Sequence, residues 1–354
     1  MGTTLIFPAV TPEAAAYFRQ LAKEGRIAIA AASVVFEEDK YGKCTFLPSV
    51  NSPEFGPAFL GLLQNENITE IFSPVASVHV FLSEFLSKRK LPVRLVNDSP
   101  ISVQVAHYHD ILDCAQKLEP FEKLLANGKS RLSRHAIAAI LRQSQMIYGE
   151  SNEEKIAAMM GIFATAIKGD VVEIGSLMGR TAAVLRLLAQ RYATGSVLTV
   201  DPWDAAEGVQ HDSPEFIQSM SCSWEPGLIA QGFRVNMLGM GGQDFFHLCL
   251  PSLEACDVYA QRPLFEDSDF SGFRPSGRIS VLHIDANHDF DAVKSDLEKW
   301  GSFLVPGSWL ILDDYEWLHG NGPQRVGDAW ITQRLNEIDI AFVCGKALFI
   351  HLIG

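Results

Sequence analysis

Short apolar runs alternate with longer stretches of helical spacing along the first hundred residues. "TLIFPAV" and "RIAIAAASVVF" have the length and β-branched content of strands, and Pro12 to Ala22 between them reads as a helix with proline in its first turn. After "TFLPSV" a helical stretch runs from Pro53 to Gln64; a strand "EIFSPVA", a helix "VHVFLSEFLSKRK" and a strand-like "LPVRLV" follow. This is an α/β layer of its own, so residues 1–100 are expected to form a small α/β domain. Its loops carry proline and serine where a phosphate cradle needs glycine, and its role stays open. Residues 101–150 are helical and amphipathic, broken at "NGKS", and suit a helical connector.

From residue 151 to 354 the pattern changes. "SNEEKIAAMMGIFATAIKGD" opens with Ser151 and Glu154 at capping-box spacing, sets Ile156, Met160, Phe163 and Ile167 on one face, and stops at Gly169. Strands are predicted at 171–174, 196–200, 233–238, 279–284 and 308–312, each followed by a helix or long loop, as in a parallel sheet. "DIAFVCGKALFIHLIG" is two apolar runs about a Gly-Lys turn, hence a terminal antiparallel hairpin. The expected fold class is therefore α/β: a seven-stranded sheet closed by a hairpin, plus the smaller N-terminal α/β domain.

The charge balance narrows the partners. With 29 basic and 42 acidic residues the net charge is −13, which repels a phosphate backbone, and only "KRK" (Lys88–Lys90) and "KSRLSR" (Lys129–Arg134) gather positive charge. No nucleic-acid partner is expected. No apolar stretch is long enough to cross a bilayer, and the opening "MGTTLIFPAV" lacks a basic n-region and a small-residue cleavage site, so the expectation is a cytoplasmic protein without a membrane partner. The six cysteines include no C-x-x-C pair, which favours reduced thiols over a zinc or disulfide framework. Homo-oligomerisation is left open.

Candidate chemistry gathers at the ends of predicted strands. "VLHIDANHDF" (Val281–Phe290) ends an apolar run in Asp285, Asn287, His288 and Asp289, and "SWLILDDYEW" repeats the design with Asp313 and Asp314. "GDVVEIGSLMGRTAAVLRLLAQ" is a strand, a glycine turn and an amphipathic helix. Gly175 and Gly179 allow a tight turn, and the helix start offers free N–H groups. The spacing is not G-x-G-x-x-G, so a dinucleotide is disfavoured. The next strand ends in Asp201, at the interval where nucleotide-binding folds set a carboxylate against ribose hydroxyls. Trp203 is placed to stack on a nucleoside or to fill the core.

Residues 150–354 resemble the class I S-adenosylmethionine-dependent methyltransferases, with a Rossmann-like sheet: Glu173, Gly175 and Gly179 of "EIGSLMGRT" match the first motif and Asp201 the acidic end of the second strand. The resemblance implies that Glu173 and the loop with Gly175, Ser176 and Gly179 hold the methionine part of S-adenosylmethionine. It assigns the ribose to Asp201, and the adenine to the loop after the third strand, here "GMGGQDFF" with Gly242, Gln243 and Asp244. Trp203 falls near the adenosine. Within the class, "LHIDANHDFDAVKSDLEKWGSFLVPGSWLILDDY" resembles the metal-dependent O-methyltransferases of natural-product and sugar tailoring. By position, Asp285, Asp313 and Asp314 would be ligands of a divalent metal, magnesium first, and His288 the base.

The chemistry agrees with that set. An alcohol is a poor nucleophile near neutrality. A divalent ion stabilises its alkoxide, carboxylates suit magnesium or manganese, and a neighbouring imidazole can take the proton. Taken singly, Asp285 and Asp313 also suit loop capping, His288 a backbone hydrogen bond, and Asp289 and Asp291 the first turn of a helix. The expected activity is methyl transfer from S-adenosylmethionine to a hydroxyl of a small molecule, sugars and glycosylated metabolites included. The rivals are a metal-independent N- or O-methyltransferase and an idle cofactor-binding module.

Overall fold

The computed structural model describes residues 2–34, 41, 43–218 and 220–354, and these divide into two compact units, Met1–Asp110 and Ile111–Gly354. In the first unit β1 (Thr3–Ile6), α1 (Pro12–Lys23), β2 (Ala28–Ala32), β3 (Cys44–Phe46), α2 (Phe55–Asn65), β4 (Ile68–Phe72), α3 (Ala76–Arg89) and β5 (Arg94–Leu95) build a five-stranded sheet, ordered β3-β2-β1-β4-β5 and parallel throughout. The α/β alternation expected there is present. The distal part of "RIAIAAASVVF", from Val35 on, lies outside the described residues. The helical stretch expected over 101–150 consists of α4 (Pro100–Leu125) and α5 (Arg134–Gln145), and from Ile111 on its apolar residues pack into the core of the second unit.

The second unit continues with α6 (Glu153–Phe163), β6 (Asp170–Ile174), α7 (Arg180–Tyr192), β7 (Val197–Val200), α8 (Glu215–Gln218), α9 (Pro226–Leu238), β8 (Phe245–Leu248) and α10 (Ser252–Ala260). β9 (Ile279–Ile284), α11 (Phe290–Trp300), β10 (Leu304–Leu312), α12 (Gly322–Gln333), β11 (Ile338–Cys344) and β12 (Ala347–Leu352) complete it. Its sheet runs β11-β12-β10-β9-β6-β7-β8, with β12 antiparallel to both neighbours and the other neighbouring pairs parallel. The seven strands and the terminal hairpin match the expectation.

One strand was misplaced. The run at 233–238 is the C-terminal half of α9, and the third strand is instead β8. "FRVNML" is too short for periodicity to separate strand from helix; burial of Phe233 and Met237 on one helical face decides for helix. The start of α6 also differs: the side chain of Asn152, not Ser151, caps it by accepting from the backbone N–H of Lys155 at 2.9 Å, and Ser151 bonds the Thr181 hydroxyl instead. Every residue from Lys155 to Phe163 is buried, so this helix has no polar stripe.

Period-two alternation sends strand residues to two opposed cores. Val171, Val197, Val281 and Ile311 face α5, α6, α7 and α9, whereas Val172, Leu198, Leu282 and Leu310 face α10, α11 and α12. The chain goes outward from β6 to β7 and β8, then returns to the other side of β6 with β9 and β10. The ends of β6 and β9 therefore flank the point where strand order reverses, the usual position of a ligand crevice in such sheets.

Candidate active site

The same alternation carries the polar residues. Glu173 on β6 lies in register with Thr199 on β7 and His283 on β9, and all three are buried. One step further along the strands stand Asp201, Asp285 and Asp313. Asp285 is docked on β6 by its N–H to the Ile174 carbonyl, at 2.7 Å, and Asp313 on β9 by its N–H to the Ile284 carbonyl, at 2.9 Å.

Two overlapping groups result. In the inner one, His283 Nε2 lies 3.8 Å from Asp313 Oδ2 and 4.0 Å from Asp285 Oδ2, while its Nδ1 faces Glu173 Oε1 at 3.2 Å. Into this group reaches Lys155, the third residue of α6, with 1% of its side chain exposed; its ammonium bonds Asp313 and lies 3.7 Å from Asp285. In the outer group, His288 Nε2 is 3.4 Å from Asp314 Oδ2 and 4.0 Å from Asp285 Oδ1. Neither imidazole nitrogen of His288 has a hydrogen-bond partner. Asp314 holds φ at +47°, a strained left-handed conformation.

Charge follows from this packing. Burial opposes ionisation of Lys155, but Asp313 and Asp285 outweigh it and keep the ammonium charged. Burial would raise Asp313 too, and Lys155 instead holds it well below the usual carboxylate range. Asp285, which also faces the charge of Asp313, is pushed upward. His288 is raised despite its burial, through Asp285 and Asp314.

A divalent cation fits this chemistry. Asp285, His288 and Asp314 each offer one ligand atom, all within 4.8 Å of one another, and so do His283, Asp285 and Asp313. In the inner set, however, a lysine already supplies a cation.

The glycine turn is built for its own packing. At Gly175 (φ +82°) a Cβ would sit 2.0 Å from the Asp285 carbonyl oxygen, and at Gly179 (φ +90°) about 3.0 Å from Phe233 and Met237. Asp201 locks the turn. Its Oδ2 accepts from the N–H groups of Ser176 and Leu177, both at 2.9 Å, and its Oδ1 from that of Trp203 at 2.8 Å. Trp203 donates its indole N–H to the Leu177 carbonyl at 2.9 Å and packs on Phe233 and His247. Leu177 (φ +46°) and Trp203 (φ +45°) are both held left-handed by this mutual bonding. The Ser176 hydroxyl and Glu173 Oε2 are buried without partners, polar atoms that a bound cofactor with an amino-acid head could satisfy.

Gln243 and Asp244 are not part of this constellation. They precede β8 instead of following the third strand, and Val197, the first residue of β7, bonds the Asp244 carbonyl, a strand's length away from Asp201. The buried Arg186 pins the segment there by donating to the carbonyls of Met237, Gly241 and Gln243. The expectation that they flank the adenine is corrected. The residues that do emerge beside Asp201 after β8 start at Cys249, whose thiol bonds the Pro202 carbonyl.

The remaining polar residues of "VLHIDANHDF" hold a loop. Asp289 occupies the cap position of α11 without a side-chain bond to that helix; its carboxylate accepts the N–H groups of His211 and Asp212 at 2.7 and 2.8 Å. Asn287 donates to the carbonyls of Val209 and Glu207. The insertion after Asp201 is thus fastened beside His288, whose other neighbour is Trp317, with ring centroids 4.7 Å apart. Sequence reading missed Lys155 and His283. His283 had one hint, a polar residue inside the apolar run of β9, and Lys155, which follows Asn152, Glu153 and Glu154, had none.

Residues 172–315 match the family model described as a methyltransferase domain. No curated protein matches the chain. Among solved structures it is similar to the O-methyltransferase NovP, at 14% identity over 68% of this chain and 100% of that one, with a TM-score of 0.42. It is also similar to CalS11, a calicheamicin methyltransferase, at 15% identity over 72% and 94%, with a TM-score of 0.40. The matched segment spans the glycine turn, Asp201 and both strand-end acid groups, and the second unit of this chain carries a methyltransferase domain.

Proposed function

We propose that the second unit moves the methyl group of S-adenosylmethionine to a hydroxyl oxygen of a small molecule, with a divalent cation held among Asp285, Asp313 and Asp314 and with His288 as general base. The observation that carries this reading is His288 itself: an imidazole with both nitrogens unpartnered, set between Asp285 and Asp314 at the switch point of the sheet. The sulfonium supplies its own leaving group, so the protein's task is to ready the acceptor. A bound cation would lower the pKa of an acceptor hydroxyl and orient it. His288 takes the proton at one imidazole nitrogen, Asp285 and Asp314 favour the imidazolium that forms, and the segment held by Asn287 and Asp289 walls the acceptor side. Sugars and glycosylated metabolites suit such a site, since their neighbouring hydroxyls could chelate the ion.

A second reading has one specific observation in its favour. Lys155 already compensates the inner carboxylates, as a metal-independent N- or O-methyltransferase would need. Turnover of a panel of hydroxylated acceptors, with and without chelator, separates the two. Under the first reading Asp285→Asn loses metal binding and activity together, while His288→Gln keeps metal and S-adenosylhomocysteine but turns over about 10²–10⁴-fold more slowly. Undiminished turnover in chelator would remove the metal from the mechanism, and full activity in His288→Gln would remove the base.

A further inference from the structure

The inner group joins one histidine, His283, and the carboxylates of Glu173, Asp285 and Asp313 to one ammonium that arrives from a different layer of the fold. Lys155 comes from α6, and its amine is brought to Asp313 by the cap at Asn152 and by burial of the helix from Lys155 to Phe163. Almost no water reaches it to screen its charge, and Asp285, shared between the inner and outer groups, lies 3.7 Å away. His283 Nε2, also fully buried, points at the same two carboxylates without a hydrogen-bond partner. A divalent ion placed among Asp285, Asp313 and Asp314 would share two of its carboxylates with this fixed positive charge.

We propose that Lys155 is a built-in counter-cation of the carboxylate cluster: it keeps the metal-free site assembled and holds its affinity for a divalent cation down, so that the ion is bound weakly and exchangeably. This rests on the metal reading above. Like charges a few ångströms apart in a poorly screened interior repel strongly, and removing one of them strengthens the binding of the other. Lys155 is a positioning residue here, since it acts through Asp313 and Asp285.

Calorimetric titration of the full chain with Mn²⁺ or Mg²⁺ alone tests it. Lys155→Met is expected to bind the metal about tenfold or more tightly than the unaltered chain. Because that variant leaves Asp313 buried without a partner and could fail to fold, the same comparison is made with Lys155→Gln, whose amide can still donate to Asp313 but carries no charge. All three proposed ligands are kept in this variant and only the positive charge is removed. Tighter binding in Lys155→Gln than in the unaltered chain supports the proposal. Unchanged or weaker affinity, with S-adenosylhomocysteine still bound, overturns it and makes Lys155 a support of the ligand set. Absence of metal binding in every variant, the unaltered chain included, defeats the metal reading and this inference with it.

Discussion

The ammonium of Lys155 and the carboxylate of Asp313, 158 residues apart in sequence, form a buried ion pair between the first turn of α6 and the end of β10. Breaking such a pair from one side leaves an uncompensated charge, whereas removing both partners returns the desolvation cost. Lys155→Met is expected to lose about 3–5 kcal/mol of stability, and Lys155→Met/Asp313→Asn much less. Denaturant unfolding of the two variants checks this, and equal losses would count against the pair as a unit.

Asp201 is expected to act on the cofactor through the turn it ties down. Its three backbone hydrogen bonds hold Ser176, Leu177 and Trp203, two of them in left-handed conformations. Bonds to a charged group are worth about 1.5–3 kcal/mol each. Asp201→Ala should weaken S-adenosylhomocysteine binding at least tenfold and also lower the unfolding temperature, because the strained turn loses its acceptor. An unchanged dissociation constant in calorimetry would separate the turn from the cofactor.

Asp289→Ala removes the acceptor of two amides in the insertion after Asp201 and touches neither the glycine turn nor the acid cluster. It should raise KM for the acceptor several-fold and leave S-adenosylhomocysteine binding as it was. Steady-state kinetics with calorimetry reads both. A change confined to the cofactor would place the insertion on the other side of the site.

Stability below neutrality should carry the signature of His247. Burial, and then the guanidinium of Arg234, lower its pKa from 6.5 to about 4. Between those values the unfolded chain binds a proton that the folded chain refuses, so stability falls as pH drops from 6.5 through about 4 and is fully present above 6.5. The whole effect is about 3 kcal/mol. Unfolding of His247→Gln and the unaltered chain across this range should give a difference that shrinks toward acid. A constant difference would show that His247 is not the group responsible.

The order of strands and helices was legible in the sequence because it is written in local spacing: period two for β9 and β10, glycine and proline at the turns, a Gly-Lys turn for the hairpin. So were Asp201, Asp285, His288, Asp313 and Asp314, since a polar residue closing an apolar strand run stands out without any partner in view. Where two local patterns overlap, spacing failed. "FRVNML" suits strand or helix, and only the burial of Phe233 and Met237 against α7 and β8 chose, which in turn moved Gln243 and Asp244 to the far edge of the sheet. Lys155 could not be read at all. A lysine in the first turn of a helix is ordinarily solvated, and nothing near it in sequence signals that α6 is buried from Lys155 onward or that Asp313 waits at the end of a strand five elements of sheet and many turns later. Charge compensation acts through space, so the identity of the ion partners, and with it the electrostatic character of the site, was decided by the tertiary structure alone.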